Sequence, residues 1–308
     1  MNAGGAAAAV NAMDASGAAA AGAVNASGAA AAGAIGPGGA DVASAVLEVD
    51  GLVKLYRNGR GVSRMSFSLK KGDIFGLLGS NGSGKTTAIK SICGLCPFKG
   101  EIRLFGASVA DSPRAALRSL GCIVEAPSFY GSLSAERNLL LAAAHYGMSR
   151  REAADAAAWA LDAVGLGKFR RERAERFSLG MKARLGLALC FVSKPGFLAL
   201  DEPLNGLDIE GMVEIRNLVI ELASRSGATF LISSHLAAEI EKTCNRVGIM
   251  HEGELLETAG MADVLRGYGS VEAYYLRVLQ SRRRQDGGGA GKGASPYKGA
   301  SPYKGAGA

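Results

Sequence analysis

Charge is absent from the start of this chain. No Lys or Arg precedes Lys54, and between Asp14 and Asp41 there is no charged residue of either sign. A secretory signal needs a basic start ahead of its apolar run, so none is predicted. The uncharged stretch is Ala, Gly, Ser and Asn with little else, too poor in apolar surface to favour hydrocarbon. Residues 14–24 return almost unchanged as 25–35, which marks residues 1–44 as a low-complexity extension predicted to be disordered. Histidine is also scarce. The three present are scattered, and no His-x-x-x-His pair occurs, which argues against a helical zinc site. Five cysteines, an odd number, argue against a disulfide framework and for a reducing compartment. Cys93 and Cys96 form a C-x-x-C pair with no second pair behind it. Because Cys93 continues the apolar stripe of Ile89 and Ile92, buried structural thiols are favoured over a metal or redox centre.

The formal net charge is +7, yet six basic residues and one acid lie beyond Gln280, and two acids lie in the first 45 residues. The folded part is therefore only mildly basic, and no specific nucleic-acid partner is predicted. Residues 281–308 combine Arg282-Arg283-Arg284 with Gly-rich sequence and a tandem Lys-Gly-Ala-Ser-Pro-Tyr repeat. They read as a disordered basic tail, able to touch acidic lipid or nucleic acid only non-specifically.

What the chain does have is Gly79-Ser80-Asn81-Gly82-Ser83-Gly84-Lys85-Thr86, which fits the phosphate-loop pattern Gly, four spacers, Gly-Lys-Ser/Thr. The apolar run Ile74 to Leu78 before it reads as a strand, and Thr87 to Cys93 after it has helical spacing. Glycines let backbone N–H groups turn inward around phosphate oxygens, and the helix start adds its positive dipole end. Lys85 would reach the β- and γ-phosphates, and Thr86 would offer a hydroxyl to Mg²⁺. Phe197 to Leu200 reads as a short buried strand ending in Asp201-Glu202 and stopped by Pro203. Asp201 there would hold Mg²⁺ through its water shell, and Glu202 would orient and deprotonate an attacking water. A further apolar strand, Thr229 to Ser234, ends on His235, which either donates to a γ-phosphate or merely terminates the strand. Tyr56 precedes a polar loop and either stacks on an adenine ring or simply ends its strand. His251 reads as a turn residue.

The pieces between alternate in kind. Residues 45–56 and 62–69 read as strands, as do 100–106 and 119–124, and residues 247–255 read as a hairpin. From Ser134 the pattern turns helical, with a capping box at Ser149-Arg150-Arg151-Glu152. Residues 170–176 form a charge run read as a solvated face. A long apolar helix follows Phe177-Ser178-Leu179-Gly180-Met181-Lys182, and residues 271–279 read as a last amphipathic helix.

Over residues 46–280 the order of these motifs resembles the ATP-binding subunit of ABC transporters. That resemblance implies an α/β P-loop NTPase fold in which a RecA-like core carries an antiparallel β subdomain and a helical signature subdomain at about 126–180, all within a domain of residues 45–280. It implies ATP and Mg²⁺ as cofactors and ATP hydrolysis as the reaction. Gly79 to Thr87 would cradle the phosphates, including Ser80, Asn81, Gly82, Ser83, Gly84 and Thr87. Lys85, Glu202 and His235 would act in catalysis, Tyr56 would stack on adenine, and Thr86, Asp201 and Glu125 would serve the metal. Ser178 and Gly180 correspond to the signature that caps ATP bound to another subunit, and Asn205-Gly206-Leu207-Asp208 to the Asp loop between the two sites. The implied partners are a second ATP-binding subunit, identical or paralogous, and a separate transmembrane permease. The implied place is peripheral, on the cytoplasmic face of a bacterial membrane.

Two departures narrow the resemblance. The signature reads Phe-Ser-Leu-Gly-Met instead of the commoner Leu-Ser-Gly-Gly-Gln, and Glu125 stands where a glutamine is usual. Residues 123–139, the Ser-Leu-Gly-Met-Lys signature and Val271 to Leu276 look like the subgroup that exports lantibiotics or bacitracin-like peptides. A carboxylate at 125 predicts coupling that is slower or more Mg²⁺-dependent than with an amide. The competing readings are a soluble ABC-type ATPase, a regulatory module without turnover, and a kinase. The first usually carries two such domains or a heptad coiled coil, which this chain lacks. Intact Lys85, Asp201, Glu202 and His235 argue against the second, and a kinase would leave the signature without a role.

Overall fold

The computed structural model describes residues 45–287. The predicted extension over 1–44 and the repeats beyond 287 lie outside the described residues. Two kinds of strand make the sheet, and residue pattern separates them. β1 (Leu47–Leu55) and β2 (Gly61–Leu69) alternate buried and exposed positions and pair antiparallel, with Leu47 opposite Leu69. β3 (Ile74–Leu78) is apolar and almost wholly buried, as a central strand must be. The chain then forms α1 (Lys85–Ile92), β4 (Lys99–Leu104), β5 (Ala107–Ser108), α2 (Pro113–Leu117) and β6 (Leu120–Ile123). The helical stretch holds α3 (Ala135–His145), α4 (Arg150–Ala163) and the start of α5 (Leu179–Phe191). After it come β7 (Phe197–Asp201), α6 (Ile209–Ser226), β8 (Thr229–Ser234), α7 (Ala237–Thr243), β9 (Arg246–His251), β10 (Glu254–Gly260), α8 (Met261–Tyr268) and α9 (Val271–Gly287).

Strand order is β5-β4-β1-β2-β10-β9-β3-β8-β7-β6. From β9 to β6 the pairing is parallel, with β3 between β9 and β8. From β5 to β2 it is antiparallel. The two blocks meet where β10 pairs with β2 at Glu254 and Arg64. Alternate side chains on the parallel strands feed two cores. Phe197, Ala199, Leu231 and Met250 join α1 and the antiparallel strands, whereas Leu198, Leu200, Phe230 and Ile249 face α5 and its neighbours. The period of two thus sandwiches the parallel block between two apolar layers.

The helical stretch forms as its caps direct. Ser134 accepts from the Arg137 N–H at the head of α3, and Ser149 with Glu152 makes the reciprocal capping box of α4. The charge run at 170–176 is tied back to α3: Arg170 pairs with Glu136 at 2.6 Å, and Ala135 N–H donates to the Glu172 carbonyl. One boundary differs from the sequence reading. α9 continues through Gly287, past the expected boundary at Gln280, because Arg277 pairs with Glu257 at 2.6 Å and Arg282 with Glu254 at 3.0 Å, holding the helix against β10. Cys93 and Cys96 do not act as a unit. Cys93 is buried beside Cys122, whose hydrogen bond, together with burial, holds the Cys93 thiol well above its ordinary pKa, while Cys96 Sγ lies 3.4 Å from Ser91 Oγ. Among the described residues no helix is long and apolar enough to cross a membrane.

The loop between β3 and α1 is wedged between two hairpins. Gly253 N–H donates to the Ser83 carbonyl at 2.9 Å from the β9–β10 turn, and a Cβ on Gly79 would stand 2.4 Å from the Met250 carbonyl oxygen. On the other side, Gly84 has φ +105° and a Cβ there would stand 2.4 Å from the Gly61 carbonyl oxygen. Gly84→Ala therefore meets both backbone strain and a collision with main chain. It should lose about 1–3 kcal/mol in chemical denaturation and weaken equilibrium ATP binding by at least about tenfold. Wild-type binding would show that the loop tolerates the displacement.

Candidate functional site

The site is built at the C-terminal ends of the parallel strands, where β3 gives way to the glycine-rich loop and α1. No acidic residue occupies the first turn of α1, and its N-cap, Gly84, has no side chain to satisfy the free N–H groups. Those groups and the dipole end are open to an anion. Lys85 is buried at 5% exposure and folds back along the loop, donating from Nζ to the Gly79 carbonyl at 2.8 Å and the Ser80 carbonyl at 3.2 Å. The same ammonium lies 3.2 Å from Glu202 Oε1.

Register brings the acidic pair to this ammonium. Asp201 on β7 lies opposite Ser233 on β8. Ser233 donates its hydroxyl to Asp201 Oδ1 at 2.7 Å, and its oxygen accepts from the Glu202 N–H at 2.9 Å. Both Asp201 and Ser233 are buried. Glu202 has a φ of +48°, an uncommon conformation for a non-glycine residue and one that accompanies functional strain. Its Oε2 meets His235 Nδ1 at 2.8 Å. With Nδ1–H given to Glu202, the other ring nitrogen is a donor only in the imidazolium form. Lys85, Glu202 and His235 thus form one chain, an ion pair followed by a hydrogen bond.

Two further groups flank it. Tyr56 is 43% exposed at the mouth of the β1–β2 hairpin, with Lys54 Nζ 5.1 Å from its ring centroid. Glu125 follows β6 in a turn closed by Ala126 N–H donating to the Val124 carbonyl at 2.9 Å, with φ +66° at its centre. Its Oε1 lies 2.5 Å from Lys90 Nζ on the last turn of α1. That hydrogen bond raises the Lys90 pKa above the usual lysine value, against partial burial, which lowers it.

The signature and Asp-loop residues stand apart from the phosphate loop. Ser178 is the N-cap of α5, accepting from the Met181 N–H at 3.3 Å, and a Cβ on Gly180 would meet nothing within 4 Å. Among the described residues no hydrogen bond joins Ser178 or Gly180 to residues 79–87. Asp208 caps α6, its Oδ1 accepting from the Gly211 N–H at 2.8 Å. A cleft of about 160 Å³ lined by Glu125, Asp201, Glu202, Asn205 and Leu179 connects the acidic pair to the signature helix. Thr86 is half-buried and Thr87 buried in the first turn of α1.

Sequence reasoning missed Lys90 and Ser233. For Ser233 a signal existed, since a polar residue inside the buried strand 229–234 needs a partner and the strand-end Asp201 is the nearest candidate. Lys90 carried no such signal, because its partner lies 35 residues away in a different element.

Three comparisons agree with this architecture. The family model described as ABC transporter matches residues 62–205. The bacitracin transport ATP-binding protein BcrA of Bacillus licheniformis is 42% identical over 215 residues, 70% of this chain and 69% of that protein. The lantibiotic transport ATP-binding protein SrtF of Streptococcus pyogenes is 35% identical over 212 residues, 68% of this chain and 89% of that protein. A solved ATP-binding subunit of an ABC transporter superposes with a TM-score of 0.67 at 30% identity, over 76% of this chain and 99% of its own. A parallel core carrying a phosphate loop, an antiparallel flank and a helical signature segment is the ABC ATPase fold, and with relatives this similar over most of their length the chain belongs to the ATP-binding ATPase subunits of ABC transporters.

Proposed function

We propose that this subunit powers export of a bacitracin- or lantibiotic-like peptide through a separate membrane permease, working as one of a pair of ATP-binding subunits on the cytoplasmic face of the membrane. The observation that carries the catalytic part is the chain Lys85–Glu202–His235, which holds one carboxylate between an ammonium and an imidazole beside the phosphate loop. Glu202 Oε1 lies against the Lys85 ammonium. When the β- and γ-phosphates draw Lys85 away, Glu202 is left on His235 with Oε1 free to accept a proton from water. His235, aligned through Nδ1, places its remaining nitrogen toward the γ-phosphate. Gly79 to Thr87 take the phosphate oxygens, and Tyr56, already exposed, offers its face to the adenine.

The donor set suits Mg²⁺, a hard cation that prefers oxygen. Asp201 is 3% exposed and receives Ser233 on Oδ1, Thr86 supplies a hydroxyl in the first turn of α1, and Glu125 brings a second carboxylate to the same cleft. Mg²⁺ bound there would offset the negative charge of the phosphates during transfer. Pairing with a second subunit follows from Ser178 and Gly180, which are open to solvent and not hydrogen-bonded to the phosphate loop of their own chain. Large apolar side chains beside them, Leu179 at 55% and Ile209 at 78% exposure, favour a covered face in the working assembly. The transported class rests on the names of the bacitracin and lantibiotic relatives.

Three measurements test this reading. Glu202→Gln should keep ATP binding, abolish turnover and trap a dimer in size-exclusion chromatography with ATP; wild-type hydrolysis would remove Glu202 from its role as base. Ser233→Ala leaves Asp201 Oδ1 and the Glu202 N–H without their partner. It should cost about 1–3 kcal/mol in denaturant unfolding and lower hydrolysis, whereas unchanged stability would mean that water replaces the hydroxyl. Glu125→Gln should raise the Mg²⁺ concentration needed for half-maximal hydrolysis, and an unchanged Mg²⁺ curve would exclude Glu125 from the metal. Each assay gains meaning when the membrane protein of a neighbouring reading frame is co-expressed, because stimulation by it separates a transport motor from a free-standing ATPase.

A further inference from the structure

An ammonium held on Glu125 competes with a divalent cation for the same negative charge. Glu125 Oε1 is the atom that meets Lys90 Nζ at 2.5 Å. Lys90 projects from α1 five residues beyond Lys85, so the helix that begins at the phosphates also carries the cation that restrains this carboxylate. The carboxylate is itself held in a three-residue turn with positive φ, a conformation that persists only when its surroundings impose it. Both partners are reached by water, the lysine at 29% and the glutamate at 68% side-chain exposure, so the pair is weak enough to exchange.

We propose that Lys90 is a positioning residue for Glu125: it holds the carboxylate in the β6 turn and gives it up when Mg²⁺-bound ATP enters, so that the pair sets how much Mg²⁺ the site requires. This rests on the reading of Glu125 as a metal ligand. Lys90 also balances the charge that glutamate adds at a position where a neutral amide is usual. The turn leads directly into Pro127, whose ring packs against Gly186, where a Cβ would stand 2.6 Å from Pro127 Cβ. Release of Glu125 is therefore felt by α5, the helix whose N-cap is Ser178.

The test uses the full chain as wild type, Lys90→Gln, Lys90→Arg, Glu125→Gln and the Lys90→Gln/Glu125→Gln double variant. Two quantities are read: the Mg²⁺ concentration for half-maximal hydrolysis, and Mn²⁺ binding with ATP, followed by loss of the free-ion electron paramagnetic resonance signal. Lys90→Gln should lower both midpoints by about threefold, the size expected of an exposed ion pair. Lys90→Arg should stay at the wild-type values. In the Glu125→Gln background, Lys90→Gln should change nothing further. An equal shift in both backgrounds would mean that Lys90 acts only through its general field, which overturns the proposal while leaving Glu125 a ligand. Midpoints in Glu125→Gln identical to wild type would instead overturn the ligand reading itself, and the proposal with it.

Discussion

Placing carboxylates beside a phosphate site is the constraint around which this molecule is arranged. Asp201 is almost fully buried and Glu202 largely so, yet both must face a region that receives a polyanion. Asp201 Oδ1, both Glu202 carboxylate oxygens and the Glu202 N–H each have a named partner. Ser233 serves Asp201 and the Glu202 backbone together, Lys85 takes one Glu202 oxygen and His235 the other. A buried charge left unpaired would cost several kcal/mol, so these contacts are a condition of folding as well as of chemistry. Parallel pairing of β7 with β8, in a register that sets Asp201 opposite Ser233, is what makes the arrangement possible.

Much of this was legible in the chain. The phosphate loop could be read because a backbone cradle needs glycine at particular spacings; the wedge between two hairpins leaves no room for a Cβ at Gly79 and Gly84, and Gly82 has a φ of +82° in open space. The strand ending in Asp201-Glu202 could be read because apolar runs bounded by a proline are short-range signals. The capping box at Ser149 appeared as expected for the same reason. Contacts between distant elements were not legible. Lys90 looks like one more charged residue on a helix until the β6 turn is brought beside it, and Ser233 looks like a strand residue until register fixes its neighbour. The continuation of α9 to Gly287 depends on ion pairs with β10, which composition alone does not reveal in a Gly-rich, basic stretch. Cys93 finds its thiol neighbour on β6, not three residues away.

Exchange of partners, more than any fixed contact, connects the site to the rest of the fold. Lys85 caps the Gly79 and Ser80 carbonyls and lies against Glu202, contacts that incoming phosphate oxygens would have to replace. A ligand that replaces those contacts shifts the equilibrium only by the difference between what it gains and what it displaces. Glu125 and Glu202, the two carboxylates that such a ligand would approach, both carry a positive φ.

The geometry of the signature segment completes the logic. Ser178 is committed to capping α5, but its cap uses one weak acceptor contact at 3.3 Å, and Gly180 on the next turn faces open space. A helix N-terminus with a hydroxyl cap and a glycine is suited to a second phosphate surface, yet its own chain's phosphate loop makes no hydrogen bond to it among the described residues. In the proposed pair, the anion that suits it would arrive on the second subunit. Pro127 against Gly186 packs the Glu125 turn onto the same helix, so the proposed ATP-sensing turn and the signature residues share one contact surface. In that proposed pair, coupling between the two nucleotide sites would run through α5, which Leu185, Leu187, Ala188 and Phe191 anchor in the core.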